Sequence, residues 1–170
     1  LGLAIEDVEQ ICRQAAAEKY VGSPANMNAP GQIVISGNKE AVEAAAEAAK
    51  LKGARRVVPL DVSAPFHCAL MKPAAERLAE TLSEIRFSPM SAPIVVNCDA
   101  SVNGDSGKTM EILVRQVTSP VRWYESVETL GREGVTRFVE IGPGNVLSGL
   151  IKRTLTNAEI SSFENTAQLE

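Results

Sequence analysis

Cysteine, histidine, positive charge and long apolar runs are all in short supply, and each shortage removes a class of function. The three cysteines, Cys12, Cys68 and Cys98, are widely spaced and odd in number. That argues against a disulfide scaffold or a zinc knuckle and fits a reducing, cytoplasmic compartment. His67 is the only histidine, and one histidine with three scattered cysteines gives no metal-ligand spacing. Lys and Arg total 17 against 21 Asp and Glu, a net charge of −4, so the electrostatic footprint of a nucleic-acid binder is missing. Charges or prolines interrupt every stretch before it reaches the roughly 18 apolar residues of a membrane helix, so no membrane insertion is expected. Leu1 to Glu6 contain neither a starting methionine nor a basic segment leading into an apolar run. No signal peptide is therefore expected, and the start reads as an internal one.

What is present suffices for one core plus a small appendage: 170 residues, 45% of them hydrophobic. Val8, Ile11, Cys12 and Ala15 fall at helical spacing behind two acids, predicting a first helix over 6–17. Strand-like runs at Tyr20-Val21 and Ile33 to Ile35 flank a turn-rich stretch and predict a hairpin. Asn38 is the expected cap of a second helix with a small-residue face, ending near Gly53, and a third strand is expected from Arg56 to Leu60. With Leu1 to Ala4 as the remnant of a first strand, this order is most of a split β-α-β-β-α-β unit. Residues 1–61 are therefore expected to be a small ferredoxin-like α+β subdomain.

From residue 62 to 170 the pattern changes to alternating helix and strand. Met71, Ala75, Leu78, Leu82 and Ile85 keep a helical stripe, Ile94 to Asn97 is an apolar run, and a helix is expected over 108–117. Ser119-Pro120 is expected to open another helix, Arg137 to Ile141 to be a buried strand, and Asn145 to Arg153 a helix capped by Asn145. Asp99 to Gly107 is the expected long polar loop, and the tail after Asn157 has no clear pattern. The fold class is α/β, with the second region forming part of a parallel sheet covered by helices.

His67 carries the clearest chemical signal. It lies in Ser63-Ala64-Pro65-Phe66-His67-Cys68, expected after a strand and before a helix, where side chains of α/β sheets reach the crevice and a neutral imidazole accepts protons. Taken alone, a buried or capping histidine is the commoner explanation. Cys68 is a poor nucleophile for His67 to serve, because side chains of sequence neighbours diverge, so it is read as a core cysteine. Gly107-Lys108-Thr109 resembles the end of a phosphate-binding loop, but Val102 stands where that motif needs its first glycine. Gly104-Asp105-Ser106-Gly107 echoes a protease nucleophile segment without the all-β, disulfide-bearing setting. Gly142-Pro143-Gly144-Asn145 precedes a helix whose amino terminus suits an anion, or is simply a tight turn.

Four blocks, in order and at matching spacing, resemble bacterial malonyl-CoA:acyl carrier protein transacylases: Asn26 to Gln32, Ser63 to Met71, Leu113 to Gln116 and Glu140 to Gly144. The resemblance spans nearly the whole chain and implies an acyltransferase core with a ferredoxin-like insertion. It implies that His67 is the catalytic base and acid, that the backbone carbonyl of Gln116 orients its imidazole, and that Asn28 faces the substrate. Phe66 corresponds to the pattern of malonyl-selective relatives. The implied partners are acyl carrier protein, met through Lys50, Lys52, Arg55 and Arg56 in the alternative of a non-catalytic docking module, and malonyl-CoA. No cofactor is implied beyond the phosphopantetheine that the carrier bears. One departure is large: the chain contains no Gly-x-Ser-x-Gly segment, so the family's serine nucleophile, together with its arginine and oxyanion-hole glutamine, is not in it. The chain alone is expected to be inactive.

Overall fold

The computed structural model describes residues 1–165. Helix α1 (Ile5–Ala16) leads into an antiparallel hairpin of β1 (Gly22–Ala29) and β2 (Gln32–Gly37), followed by α2 (Lys39–Leu51). The helices pack against each other and against the hairpin. Small residues permit the close approach: Ala41 and Ala45 are fully buried, and a Cβ on Gly22 would stand 3.3 Å from the Ala41 methyl. The expected turn-rich stretch is in fact strand. Pro24, Asn26 and Asn28 all lie in β1, accommodated by register shifts after Pro24 and after Met27, and the turn is confined to Pro30-Gly31. Gly31 takes φ +70°, where a side chain is disfavoured, and its carbonyl accepts from Gly2 N at 2.7 Å.

Two expected strands of this region are not formed. Leu1 exchanges single bonds with its neighbours, its carbonyl accepting from Arg55 N and its amino group donating to Arg56 O, each at 2.8 Å. The pairing goes no further into the segment, and Arg56 to Leu60 is irregular, with Val58 and Leu60 exposed. His67 accordingly follows an irregular segment rather than a strand. Asn38 stands at the start of α2, but its side chain does not cap the helix; its Oδ1 accepts from Val21 N at 2.8 Å, tying the two ends of the hairpin together.

The second region contains α3 (Lys72–Ser83), the short antiparallel pair β3 (Ile94–Val96) and β4 (Ser101–Asn103), α4 (Thr109–Thr118), α5 (Trp123–Arg132), β5 (Arg137–Ile141), α6 (Val146–Thr154) and β6 (Glu159–Phe163). β4 occupies part of the expected polar loop. Its flanks are closed by aspartate and asparagine turns: Asp99 accepts from the Ser101 hydroxyl at 2.7 Å, and Asn103 from Asp105 N at 3.1 Å. β6 occupies the tail, running parallel to β5 in register from Arg137 opposite Glu159 to Ile141 opposite Phe163. Residues 166–170 of the expected second region lie outside the described residues.

Beside the expected hairpin β1–β2, the described residues of the second region hold two two-stranded sheets, of which β5–β6 is parallel and β3–β4 antiparallel. The chain is thus mixed α/β with small sheets. β5 is not the buried strand that its composition suggests. Val139 and Ile141 are 54% and 83% exposed, because nothing among the described residues covers the face of β5 that carries them. Ser119-Pro120 does not open a helix either. The next residue, Val121, bridges β1 in parallel, accepting from Met27 N and donating to Ala25 O at 2.8 Å each, and α5 begins only at Trp123. That bridge ties the amino-terminal hairpin to the second region.

Candidate active site

Proline builds the centre of the site. In α4 the Gln116 carbonyl would ordinarily accept from the N–H four residues on, but residue 120 is Pro120 and has none. The same proline drives Ser119 out of the helical region, to φ −106° and ψ 151°, and so ends the helix. The Gln116 carbonyl is left as an acceptor at the helix end, and His67 Nδ1 lies 3.2 Å from it. A carbonyl only accepts, so the bond requires the Nδ1–H tautomer and leaves the Nε2 lone pair free to take a proton. The Gln116 side chain reaches the other way: its Oε1 accepts from Asn97 N, just beyond β3, at 3.2 Å. Arg122 N adds a bond to Asn97 O at 2.9 Å. The carbonyl that meets the histidine is therefore tied to the β3–β4 pair.

His67 itself has φ +60°, a region that costs a residue bearing a Cβ of order 1–3 kcal/mol and persists only where the surroundings over-determine it. Its neighbour Cys68 is buried, and the Cys68 thiol donates to Pro65 O at 3.1 Å. On the far side, Met71 N donates to Cys68 O at 3.0 Å, which starts the short 3-10 turn leading into α3.

The other expected site residues divide. Asn28 on β1 and Phe66 in the histidine loop both line one cleft of about 1140 Å³ between the hairpin, its helices and the irregular segment 57–66. Phe66 is 48% exposed at its edge. His67 does not line this cleft, although Phe66 beside it does. Of the four basic residues expected to meet a carrier, Lys50 pairs with Glu47 at 2.6 Å and Lys52 with Asp7 at 3.2 Å. Among the described residues no group of three or more His, Cys, Asp and Glu is placed to hold a metal ion, and no helix is long and apolar enough to cross a membrane.

The anion-binding candidates are occupied from within. Gly142 and Gly144 take φ +135° and +83°, turning the chain so that the Glu140 carboxylate accepts from Leu147 N at 3.0 Å and Ser148 N at 2.8 Å. Glu140, not Asn145, satisfies the start of α6. Hydrogen bonding from Ser148, followed by the Leu147 N–H, holds its carboxyl below the usual carboxylate range. In the loop with a partial phosphate-binding motif, Asp105 Oδ1 likewise accepts from Gly107 N at 2.8 Å.

Sequence reasoning passed over three participants: Cys68 as a hydrogen-bonding group, Asn97 as the anchor of Gln116, and Pro120 as the cause of the free carbonyl. Only Pro120 carried a local signal, as a proline four residues after the glutamine.

The chain matches the model of the acyl transferase domain over residues 2–169. It is 46% identical over 169 residues to the malonyl CoA-acyl carrier protein transacylase of Salmonella typhimurium, covering 99% of this chain and 54% of the relative. With the Bacillus subtilis protein of the same name it shares 47% identity over 153 residues, 90% of this chain and 48% of the relative. Among solved structures, an acyl carrier protein S-malonyltransferase from Vibrio cholerae superposes with a TM-score of 0.94 at 46% identity, covering 99% of this chain and 55% of that one. A malonyl-transacylase solved in complex with its type II polyketide acyl-carrier protein superposes at 0.93 with 45% identity, covering 99% and 54%. The chain spans about half the length of the curated relatives it matches. With the domain model covering nearly every residue, the chain belongs to the acyl transferase domain family.

Proposed function

We propose that this chain supplies the histidine-bearing part of an acyl carrier protein S-malonyltransferase, which moves malonyl from CoA to the phosphopantetheine thiol of acyl carrier protein in fatty acid biosynthesis. The observation that carries this reading is the bond from His67 Nδ1–H to the Gln116 carbonyl, in a chain similar to malonyl CoA-acyl carrier protein transacylases. Nε2 takes the proton of a serine hydroxyl as its oxygen attacks the malonyl thioester, then returns it to the departing CoA thiolate, leaving an acyl-serine. In the second half Nε2 takes the proton of the carrier's thiol as its sulfur attacks the acyl-serine, and protonates the departing serine oxygen. At each stage the Gln116 carbonyl faces the imidazolium, which is the part an aspartate plays in many triads.

Asn28 would contact the substrate from the hairpin, and Phe66 would narrow the cleft against a branched acyl group, favouring malonyl over methylmalonyl. Residues 1–61 act as a small ferredoxin-like subdomain and residues 62–170 as part of a parallel-sheet acyltransferase core. The reaction is cytoplasmic and uses no cofactor beyond the carrier's phosphopantetheine. The serine is not in this chain, which has no Gly-x-Ser-x-Gly segment. Alone it therefore lacks covalent catalysis as well as oxyanion stabilisation, the latter often worth about 3 kcal/mol.

Two measurements test the reading. Incubated with malonyl-CoA, the chain is expected to show no mass increase of one malonyl group; a stable adduct would mean that another nucleophile does the chemistry. In a longer protein bearing the serine segment, His67→Ala is expected to lower kcat by roughly 10²- to 10⁴-fold. Unchanged turnover there would remove His67 from the mechanism.

A further inference from the structure

Cys68 has no chemical part in that mechanism, yet it is 1% exposed and directly follows the histidine. Its thiol makes two contacts that fit the one donor and the acceptor capacity of an S–H group: Sγ donates to Pro65 O at 3.1 Å and accepts from Ser36 Oγ at 3.8 Å. Pro65 lies two residues before His67, so the thiol closes the turn that contains the histidine. Ser36 lies on β2, so the same thiol fastens that turn to the amino-terminal hairpin. Within the turn, His67 holds a left-handed backbone that a residue with a Cβ adopts only when its neighbours enforce it. From that backbone its ring reaches Gln116 on α4, 49 positions along the chain.

We propose that Cys68 is a positioning residue. Its buried thiol, held between Ser36 and the Pro65 carbonyl, locks His67 in the left-handed conformation from which Nδ1–H meets the Gln116 carbonyl, and thereby keeps Nε2 as the proton acceptor. This rests on His67 being the base, and it gives the cysteine a mechanical duty in place of a nucleophilic one. The hydrogen bond fixes which ring nitrogen bears the proton. If the turn is released, the ring is no longer held against Gln116 and exchanges its proton between the two nitrogens.

Because His67 is the only histidine, long-range proton–nitrogen NMR spectra report its tautomer without ambiguity. The native chain is expected to show a protonated Nδ1 and a pyridine-like Nε2. Cys68→Ala is expected to lower the ratio of Nδ1–H to Nε2–H about fivefold, the worth of one net hydrogen bond. Cys68→Ser should restore most of it, since a hydroxyl donates and accepts in the same way. Cys12→Ala removes an equally buried cysteine from α1 and should lower the thermal midpoint without moving the ratio, separating positioning from packing. Should Cys68→Ala fail to fold, Ser36→Ala, which removes only the outer contact, is expected to shift the ratio the same way by less. The proposal falls if the native chain already favours Nε2–H, or if folded Cys68→Ala and Ser36→Ala both keep the native ratio. It falls equally if Cys12→Ala shifts the ratio as far as Cys68→Ala does. A shifted ratio in Cys68→Ala together with normal turnover in His67→Ala of the longer protein would sink the catalytic reading and leave the positioning role standing.

Discussion

Gln116 offers a sharp test because its two polar groups do different jobs. Any residue at 116 presents a backbone carbonyl to His67, whereas only a side chain with an acceptor can meet Asn97 N at 3.2 Å. Gln116→Ala therefore strips away the anchor and leaves the histidine's partner in place. Removing one side of a hydrogen bond costs about 1–3 kcal/mol when the other side is left buried. Asn97 and Gln116 are only half-buried, and water can satisfy much of the Asn97 N–H, so the low end, about 1 kcal/mol, is expected. With a urea dependence of about 2 kcal/mol per molar for a chain of this size, the midpoint should fall by about 0.5 M. The single tryptophan, Trp123, begins α5, beside the Arg122–Asn97 bond, so its fluorescence follows unfolding of this region. Gln116→Glu retains an acceptor oxygen and should recover most of the loss. If Ala leaves the midpoint unchanged, or if Glu falls as far as Ala, the anchoring argument is refuted.

Two further outcomes follow from burial and charge. Cys12 and Cys68 are each 1% exposed, and burial pushes the Cys12 thiol up to about 11. Iodoacetamide on the native chain should thus label the partly exposed Cys98 alone and reach all three cysteines only in denaturant; native labelling of Cys12, read by peptide mass, would contradict the packing of α1 on α2. The Glu140 carboxyl is held below its ordinary value of 4.5, so its contribution is fully present above that pH and is lost as pH falls through the lower folded value. Glu140→Gln should therefore melt below the native chain at neutral pH, with the gap closing as pH falls below the ordinary carboxyl range; a gap independent of pH would show that charge at the start of α6 is not what matters.

Periodicity and small-residue faces made most helices legible, since i, i+3 and i+4 spacing is a local property. α1, α2, α3, α4 and α6 all lie close to their expected spans. Strands were harder. β1 contains a proline and two asparagines, which local preference assigns to a turn, and only pairing with β2 and the Val121 bridge makes it extended. β5 carries the composition of a buried strand, yet exposure depends on what covers its faces, and no run of five residues encodes that.

The site divides along the same line. By itself the sequence determined that one histidine was available, that no Gly-x-Ser-x-Gly nucleophile segment accompanied it, and that a proline stood four residues after Gln116; these are facts of composition and spacing. Tertiary structure alone decided that the Gln116 carbonyl would face His67, residues 49 positions apart, and that the Cys68 thiol would lie between Pro65 and Ser36. It also decided that Glu140 would fill the helix start that Asn145 left uncapped. Hydrogen bonds depend on distances of about 3 Å and on direction, and for groups far apart in the chain both are set only when the elements pack.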